Sequence, residues 1–149
     1  MMILRETGQT DQQKYPQIWQ DHELSAETRR ITPDELPELE KAARSHPELA
    51  ILDADRLVSA PFLRTIREGE RFDPFGMDGR TQKLSDFLIN AKVPKEYRSD
   101  LTAAADQSGI VWIPGLRVSD RCALNEQTKR IMILKLRKKQ EGAWVYWTF

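Results

Sequence analysis

The sequence predicts an α+β fold: a small mixed or antiparallel sheet with short helices, preceded by a smaller strand-plus-helix unit. Two observations lead to this prediction. Apolar residues between positions 110 and 137 recur with the two-residue period of strands. One short segment instead has the spacing of an amphipathic helix, at Leu84, Phe87, Leu88 and Ala91. The 149 residues, 40% of them hydrophobic, suffice for one ordinary core or two small modules.

The first third of the chain predicts short strands and then one acidic helix. Residues 1–32 are turn-rich with scattered apolar positions, a pattern typical of short strands in a small sheet. Thr32 and Glu35 have the spacing of a capping box, with a proline at the first helical position. We therefore predict a helix over about 33–45, which ends before Pro47. Because Pro37 lies near its first turn, a start at Pro37 is the alternative.

The middle of the chain predicts two strands and two further helical segments. Leu49 to Leu52 is a short apolar run, and a second strand is expected around 62–66. The apolar stripe predicts a helix over 80–92, and Pro94 then begins a short turn or helix. A turn at Gln107-Ser108-Gly109 separates this helical region from the sheet that follows.

The last part predicts a meander of strands at 110–113, 116–118 and 129–137. The tail AWVYWTF, residues 143–149, alternates two sets of largely apolar side chains. It is either a last strand with both faces covered or an exposed aromatic interface. We favour the covered strand, because exposed aromatic edge strands promote aggregation.

Charge is distributed unevenly along a chain whose formal net charge is zero. Residues 1–57 hold 7 basic and 12 acidic side chains, whereas residues 58–149 hold 16 basic and 11 acidic ones. Such an asymmetry is typical of a partner-binding module, but two differently charged solvated surfaces explain it equally well. The apolar start of the chain is too short for a signal peptide, and no apolar run reaches membrane length. We predict a soluble, cytoplasmic protein that binds no membrane.

The sequence lacks the common catalytic and nucleotide-binding motifs. No phosphate-binding glycine loop and no nucleophile elbow is present, and Cys122 is the only cysteine. Asp53 and Asp55 could in principle hold a cation, but two carboxylates fall short of the six or more oxygens that calcium needs. A turn capped by Asp53 is the better interpretation, so no metal or cofactor is predicted.

A candidate anion-binding site lies within residues 71–98. Gly76 and Gly79 form a tight loop just before the predicted helix, so the first N–H groups of that helix would face an approaching phosphate. Arg71, Arg80 and Lys83 surround this loop. The alternative, on chemistry alone equally plausible, is that Arg71 pairs with one of the nearby aspartates, Asp73 or Asp78, and that the glycines only turn the chain.

Five stretches between Ala50 and about Arg137 resemble, in order and spacing, the C-terminal region of tRNA(Ile)-lysidine synthetases. They are ILDADRL (51–57), LRTIREGERFDPFGMDG (63–79), KLSDFLINAKVPKEYR (83–98), IVWIPGLRVSDRCAL (110–124) and TKRIMILKL (128–136). The resemblance implies an RNA-binding domain at 50–141. We therefore divide the chain into an acidic linker or partial preceding domain at 1–49, this RNA-binding domain, and the aromatic tail at 142–149, which departs from the family pattern.

The resemblance also implies a role. The family's catalytic domain is N-terminal, carries an S-G-G-x-D-S type signature, uses ATP and Mg²⁺, and attaches lysine to an anticodon cytidine. That signature is absent from this sequence, so the resemblance implies a non-catalytic module whose partner is tRNA, at its acceptor stem. The family's basic and aromatic features carry over by position to Arg71, Phe72, Lys83, Lys92, Arg98, Arg117, Arg121 and Lys129.

Three functional hypotheses follow. In the first, the chain grips RNA phosphates through a set of basic residues: Arg71, Arg80, Lys83, Lys92, Arg98, Arg117 and Arg121. In the second, the aromatic tail and the acidic first part mediate protein interaction or homodimerisation. The third, a small enzyme around Asp53, Asp55 and Arg71, has the least support because no nucleophile with its base can be named. Phe72, Phe75 and Tyr97 are expected in the core rather than as platforms for bases.

Overall fold

The computed structural model describes residues 15–98 and 100–146. The strands are β1 Gln17–Trp19, β2 His22–Arg30, β3 Leu49–Asp53, β4 Phe62–Thr65, β5 Arg71–Phe72, β6 Gln82–Lys83, β7 Thr102–Asp106, β8 Gly109–Ile113, β9 Arg117–Val118, β10 Arg130–Gln140 and β11 Ala143–Tyr146. The α-helices are α1 Leu36–Ser45, α2 Leu84–Asn90 and α3 Lys95–Arg98, and short 3-10 turns lie at Pro33–Glu35, Ala54–Arg56 and Asp120–Cys122. The predicted α+β class is confirmed.

The first sheet is organised around the long strand β10. Within the described residues it has five strands in the order β11-β10-β2-β1, with β3 also paired to β10. All pairings are antiparallel, and β2 runs along one side of β10 while β3 and β11 follow each other on the other side. The acidic first part and the basic last part of the chain therefore share one sheet, although the predicted boundary at residue 49 falls between them.

The second sheet has the order β9-β8-β7-β4 among the described residues, again antiparallel. Strand β7, whose sequence is TAAAD, was not predicted. Alanine has low strand propensity, and every residue of β7 is buried, so the alternation that marks a half-exposed strand is absent. A bulge between Ala104 and Ala105 shifts the register against β8.

Three apolar clusters hold four layers together. Between the two sheets lie Leu24, Leu52, Leu134 and Leu136 from one side and Leu63, Val111 and Trp112 from the other. On the far side of the second sheet, Phe72, Leu84, Phe87 and Leu88 join the β5–β6 hairpin and α2 to Ile110 and Ile113. On the far side of the first sheet, α1 covers Ile51 and Ile131 through Leu39. The layers are thus α1, first sheet, second sheet and α2 with its hairpin.

The predicted acidic helix is present, but residues 33–35 form a 3-10 turn and the α-helix itself begins at Leu36. The Thr32 backbone N–H donates to Glu35 Oε2 at 2.8 Å, which is the reciprocal bond of a capping box, and α1 ends at Ser45 before Pro47. With 10 residues, α1 is the longest helix among those described, and none of them is long and apolar enough to cross a membrane.

The aromatic tail departs from the prediction. Residues 143–146 do form a strand, β11, but among the described residues it is an edge strand that pairs only with β10. Val145 is 39% exposed and Tyr146 is 56% exposed, so the expected burial of both faces is wrong for these residues. Positions 147–149 of the predicted tail lie outside the described residues.

Candidate RNA-binding surface

The β5–β6 hairpin presents two cations side by side. Arg71 and Lys83 are directly opposite each other in the antiparallel pair, so their side chains lie on one face, and both are exposed. The neighbouring Phe72 points inward, is 2% exposed and packs edge-to-face on Phe87 with ring centroids 5.2 Å apart. Its predicted place in the core is confirmed, and this anchor holds the hairpin on the second sheet.

The loop between the two hairpin strands is fastened to the turn after β9. Phe75 N–H donates to Val118 O at 3.0 Å, and Asp120 N–H donates to Asp73 O at 2.7 Å. Asp73 also accepts a 2.6 Å bond from the buried Ser119 hydroxyl. These bonds leave the Phe75 ring outside, 45% exposed, so the expectation of a core position is wrong for Phe75.

The predicted glycine loop does not lead directly into a helix. Residues 82–83 form β6 instead, because they pair with 71–72, and α2 begins four residues later than predicted, at Leu84. The first N–H of α2 donates to Glu70 O at 2.8 Å. The predicted phosphate site at the helix start is therefore wrong: the Gly76–Gly79 loop lies at the other end of the hairpin.

Four basic side chains around this hairpin are exposed, and the three arginines among them donate hydrogen bonds to neutral groups. Arg71 donates to the hydroxyl and the carbonyl of Thr81 (both 3.2 Å) rather than to Asp73 or Asp78. Arg80 donates to Met77 O (3.2 Å), and Arg117 donates to Phe75 O (3.0 Å). Within residues 15–98 and 100–146, no carboxylate oxygen lies within 4.0 Å of these nitrogens or of Lys83. We call Arg71, Arg80, Lys83, Arg117 and Phe75 the hairpin surface.

Two predicted residues lie elsewhere, beyond α2. Lys92 is exposed in the left-handed conformation that ends α2, with φ of 62°. Arg98 is half-buried, donates to Val93 O at 3.3 Å and lines a groove of about 480 Å³ that the hairpin-surface residues do not line. The same groove also contains Glu68 and Glu70. Tyr97 beside it is 58% exposed, so its predicted core position is wrong.

Arg121 points into the protein. Its Nη2 donates to Asp106 Oδ1 at 2.6 Å and its Nη1 donates to Asp106 Oδ2 at 3.0 Å, and the Asp106 side chain is fully buried. Burial alone would raise the pKa of Asp106, but the bonds from Arg121 and from Val58 N–H lower it below its ordinary value. The guanidinium is therefore engaged in a structural ion pair, and we leave Arg121 out of the hairpin surface.

The Asp53–Asp55 pair caps a turn, as the sequence favoured. Asp53 Oδ1 accepts from Asp55 N–H at 3.0 Å, and its other oxygen accepts from the Thr128 hydroxyl at 2.9 Å. Asp55 pairs with Arg130 at 2.8 Å. Among the described residues no group of three or more metal-ligating side chains is found. Lys129 is exposed, and its carbonyl accepts from Ile31 N–H at 2.9 Å.

Part of the charge asymmetry is neutralised within the first sheet. Glu23 of β2 accepts a 2.6 Å bond from Arg137 of β10, and Arg130 pairs with Asp55 after β3. The acidic first part thus neutralises some of the basic second part. The run KLRKKQ at 135–140 was not among the predicted contacts, although three lysines among four basic residues in six positions indicate a basic patch.

A groove of about 730 Å³ opens beside the hairpin surface. Its lining combines Phe75, Gly76 and Arg117 with residues of α1 and β3, including Ala43 and Ile51. The buried Trp112 also contributes to the lining. The hairpin surface is therefore flanked by a groove that residues of the second sheet share with α1 and β3.

Comparison with known proteins gives a consistent result. Residues 62–135 match the family model described as "TilS substrate C-terminal domain". The chain is 34% identical over 88 residues to a tRNA(Ile)-lysidine synthase of Clostridium acetobutylicum, a match that covers 59% of this chain and 19% of that protein. It is 33% identical over 115 residues to the enzyme of that name from Bacteroides thetaiotaomicron, covering 77% and 25%. The chain thus spans about a fifth to a quarter of these relatives.

The fold has a counterpart among solved structures. The crystal structure of a TilS C-terminal domain superposes with a TM-score of 0.59 and 24% identity, covering 81% of this chain and 87% of that one. This structural likeness supports the fold, whereas the match to the family model rests on the amino-acid sequence. The matched segment runs from the start of β4 through the hairpin surface into β10. Through residues 62–135, the chain therefore belongs to the family of TilS C-terminal domains.

Proposed function

We propose that this chain is a non-catalytic tRNA-binding module of a tRNA(Ile)-lysidine synthase-like protein. It grips tRNA by phosphate contacts, at the acceptor stem, while a separate domain that uses ATP and Mg²⁺ ligates lysine to an anticodon cytidine. The relatives are named tRNA(Ile)-lysidine synthases, and the chain corresponds to their C-terminal part. A cytoplasmic location goes with this proposal.

One observation carries the proposal: the cations of the hairpin surface lack acidic partners among the described residues. Arg71 and Lys83 face each other across two strands, and like charges in that position destabilise a hairpin. Such an arrangement is stabilised when an anion binds between the two side chains. A phosphate group has the charge and the acceptor oxygens for this site.

The geometry suits recognition by shape. A-form RNA offers phosphates and 2′-hydroxyls, while its major groove is too narrow for side chains to read. Arginines that are pre-positioned by bonds to carbonyls, as Arg80 and Arg117 are, lose less side-chain freedom when they bind. The exposed Phe75 lies among them and offers an apolar contact to a sugar or a terminal base pair. Lys92 and Arg98 stay predicted contacts outside this surface.

The test is a titration of the chain with an acceptor-stem minihelix and an anticodon-stem minihelix of tRNA(Ile), each at several salt concentrations. With about four to six phosphate contacts, log K should fall with log salt with a slope of about −3 to −5, and binding should prefer the acceptor stem. Arg71→Ala and Lys83→Ala should each reduce that slope by about one.

A matched control is Arg29→Ala, because Arg29 is also an exposed arginine but pairs with Glu35 at 2.9 Å. This substitution should leave the slope unchanged. Absence of binding at low salt, or equal losses from the control and the hairpin variants, would refute the proposal.

A second candidate is homodimerisation through the aromatic strand β11. Its edge position among the described strands and its exposed Val145 and Tyr146 favour it. It would be tested by light scattering with and without residues 142–149. A mass that stays the same would remove the case for it.

A further inference from the structure

Among the residues that the structure describes, a helix covers only part of the outer face of the first sheet. Helix α1 packs on Ile51 and Ile131, at one end of β10. The other end of β10 pairs with β11, where Arg137 is opposite Tyr146 and Lys139 is opposite Trp144. Residues opposite each other share a face, and so do residues two apart on a strand. Since Ile131 and Arg137 are an even number apart, both belong to this outer face.

Cations and aromatic rings alternate over this uncovered part. Lys135 Nζ lies 5.6 Å from the centroid of the Tyr146 ring, and Arg137 Cζ lies 5.6 Å from that of Trp144. Both distances are within the range of cation–π attraction. The order across the face is Lys135, Tyr146, Arg137, Trp144 and Lys139, which we call the aromatic ladder. These contacts hold the two rings in place while Tyr146 stays 56% exposed.

The charge of this region determines which partner fits. Residues 135–146 hold four basic side chains and one acidic one. Arg137 is neutralised by Glu23, but Lys135 and Lys139 on the same face have no carboxylate within 4.0 Å in the part of the chain that the structure describes. Lys138 lies on the opposite face, beside Val145. A second copy joined edge to edge at β11 would bring two such clusters together, and the repulsion between their like charges opposes that pairing. The cluster is instead complementary to a polyanion.

We propose that the aromatic ladder binds unpaired RNA: bases stack on Trp144 and Tyr146, and the lysines contact the adjoining phosphates. Aromatic rings interleaved with cations are the combination that single-stranded nucleic acid requires, and stacking tolerates any base. The two rings are two residues apart on one strand, which separates them by about 6.8 Å and gives each ring room for its own base. The inference rests on the proposed function only in taking RNA as the partner, and the ladder shares no residue with the hairpin surface.

The experiment measures fluorescence anisotropy with two probes, a single-stranded RNA of about eight nucleotides and a blunt RNA duplex. Trp144→Leu and Tyr146→Leu, which keep an apolar strand but remove the stacking ring, should each weaken single-strand binding roughly tenfold. Trp144→Phe and Tyr146→Phe, which keep an aromatic ring, should retain most of the wild-type affinity for the single strand. Val145→Ala is the matched control, because Val145 lies between the two rings on the opposite face of the same strand.

The two proposals fail in different ways. Arg71→Ala with Lys83→Ala should weaken duplex binding and leave single-strand binding within about twofold, the reverse of the ladder variants. If the wild-type chain binds the duplex but not the single strand, or if the leucine variants bind the single strand as well as Val145→Ala does, the ladder is not an RNA site. If light scattering shows a dimer that the leucine variants dissociate, the face is a self-association surface and the inference is overturned.

Discussion

Replacing Arg121 by methionine should destabilise the protein strongly, because the substitution leaves the Asp106 carboxylate buried without its cation. Asp106 has no exposed side-chain surface and accepts two bonds from Arg121. Its other partners are the N–H groups of Val58 and Ser108, each at 2.9 Å. Methionine preserves much of the volume of the arginine stem, so the missing charge dominates the effect.

The expected loss is about 3–5 kcal/mol in the free energy of unfolding, the usual cost of removing one partner of a buried pair. For a chain of 149 residues this corresponds to a fall in Tm of roughly 10 °C. Asp106→Asn with Arg121→Met should recover part of the loss, because the double variant leaves no isolated charge inside. A double-mutant cycle in urea therefore measures the coupling between the two side chains.

The loss should also depend on pH. In the wild-type fold the pKa of Asp106 is lowered, so the pair stabilises the protein above the unfolded carboxyl value of 3.8 and less as the pH falls through the lowered value. In the variant, burial without Arg121 raises that pKa, so protonation favours its folded state. The stability difference between wild type and variant should therefore narrow towards acid pH.

Urea unfolding followed by circular dichroism measures these quantities, with Arg117→Met as control. Arg117 is exposed and makes one bond to a backbone carbonyl, so its loss should cost no more than about 0.5 kcal/mol. A loss below about 1 kcal/mol for Arg121→Met would refute the structural role argued from the buried pair. Weaker RNA binding by Arg121→Met at unchanged stability would instead restore Arg121 to the phosphate contacts.

Three further predictions concern the core, the thiol and a second ion pair. Leu134→Ala, at a fully buried position between the sheets, should cost about 2–5 kcal/mol in urea unfolding, while Ile89→Ala on the exposed side of α2 should cost far less. Burial raises the pKa of Cys122 to about 11, so the thiol should resist iodoacetamide at pH 8 in the folded protein and react in urea. Burial alone would raise the pKa of Glu70, but bonds from Arg64 and Arg67 N–H lower it below 4.5. The stabilisation from Glu70 should therefore be lost as the pH falls through the lowered value, and Arg64→Met should weaken that acid dependence in urea titrations.

Each of these has an outcome that would contradict it. Equal losses for the leucine and isoleucine variants would mean that the packing between the sheets is not as described. Rapid alkylation of Cys122 in the native state would mean that the turn after β9 opens readily. An unchanged acid limb in Arg64→Met would show that Arg64 does not hold the pKa of Glu70 down.

Local sequence signals determined several elements by themselves. The capping box at Thr32 predicted the start of the helical segment, a 3-10 turn that leads into α1, and the proline at 47 predicted its end. Both signals act on their own backbone neighbourhood. The two-residue period predicted the long strand β10, since one set of its side chains is buried and the other is more exposed. The five matching stretches led to the family that the residue match then showed.

The tertiary structure alone decided the rest, because the deciding partners are distant in sequence. Strand β7 is an alanine run with no periodic signal. The first sheet covers one of its faces, and α2 with the β5–β6 hairpin covers the other. The start of α2 depends on pairing between 71–72 and 82–83. The tail is an exposed edge because, among the described residues, β10 is the one strand that pairs with β11. The predicted arginines look alike in the sequence, but Arg121 forms an ion pair with a buried carboxylate whereas Arg71 and Arg117 are exposed at the hairpin. Only the position of a carboxylate in space distinguishes them.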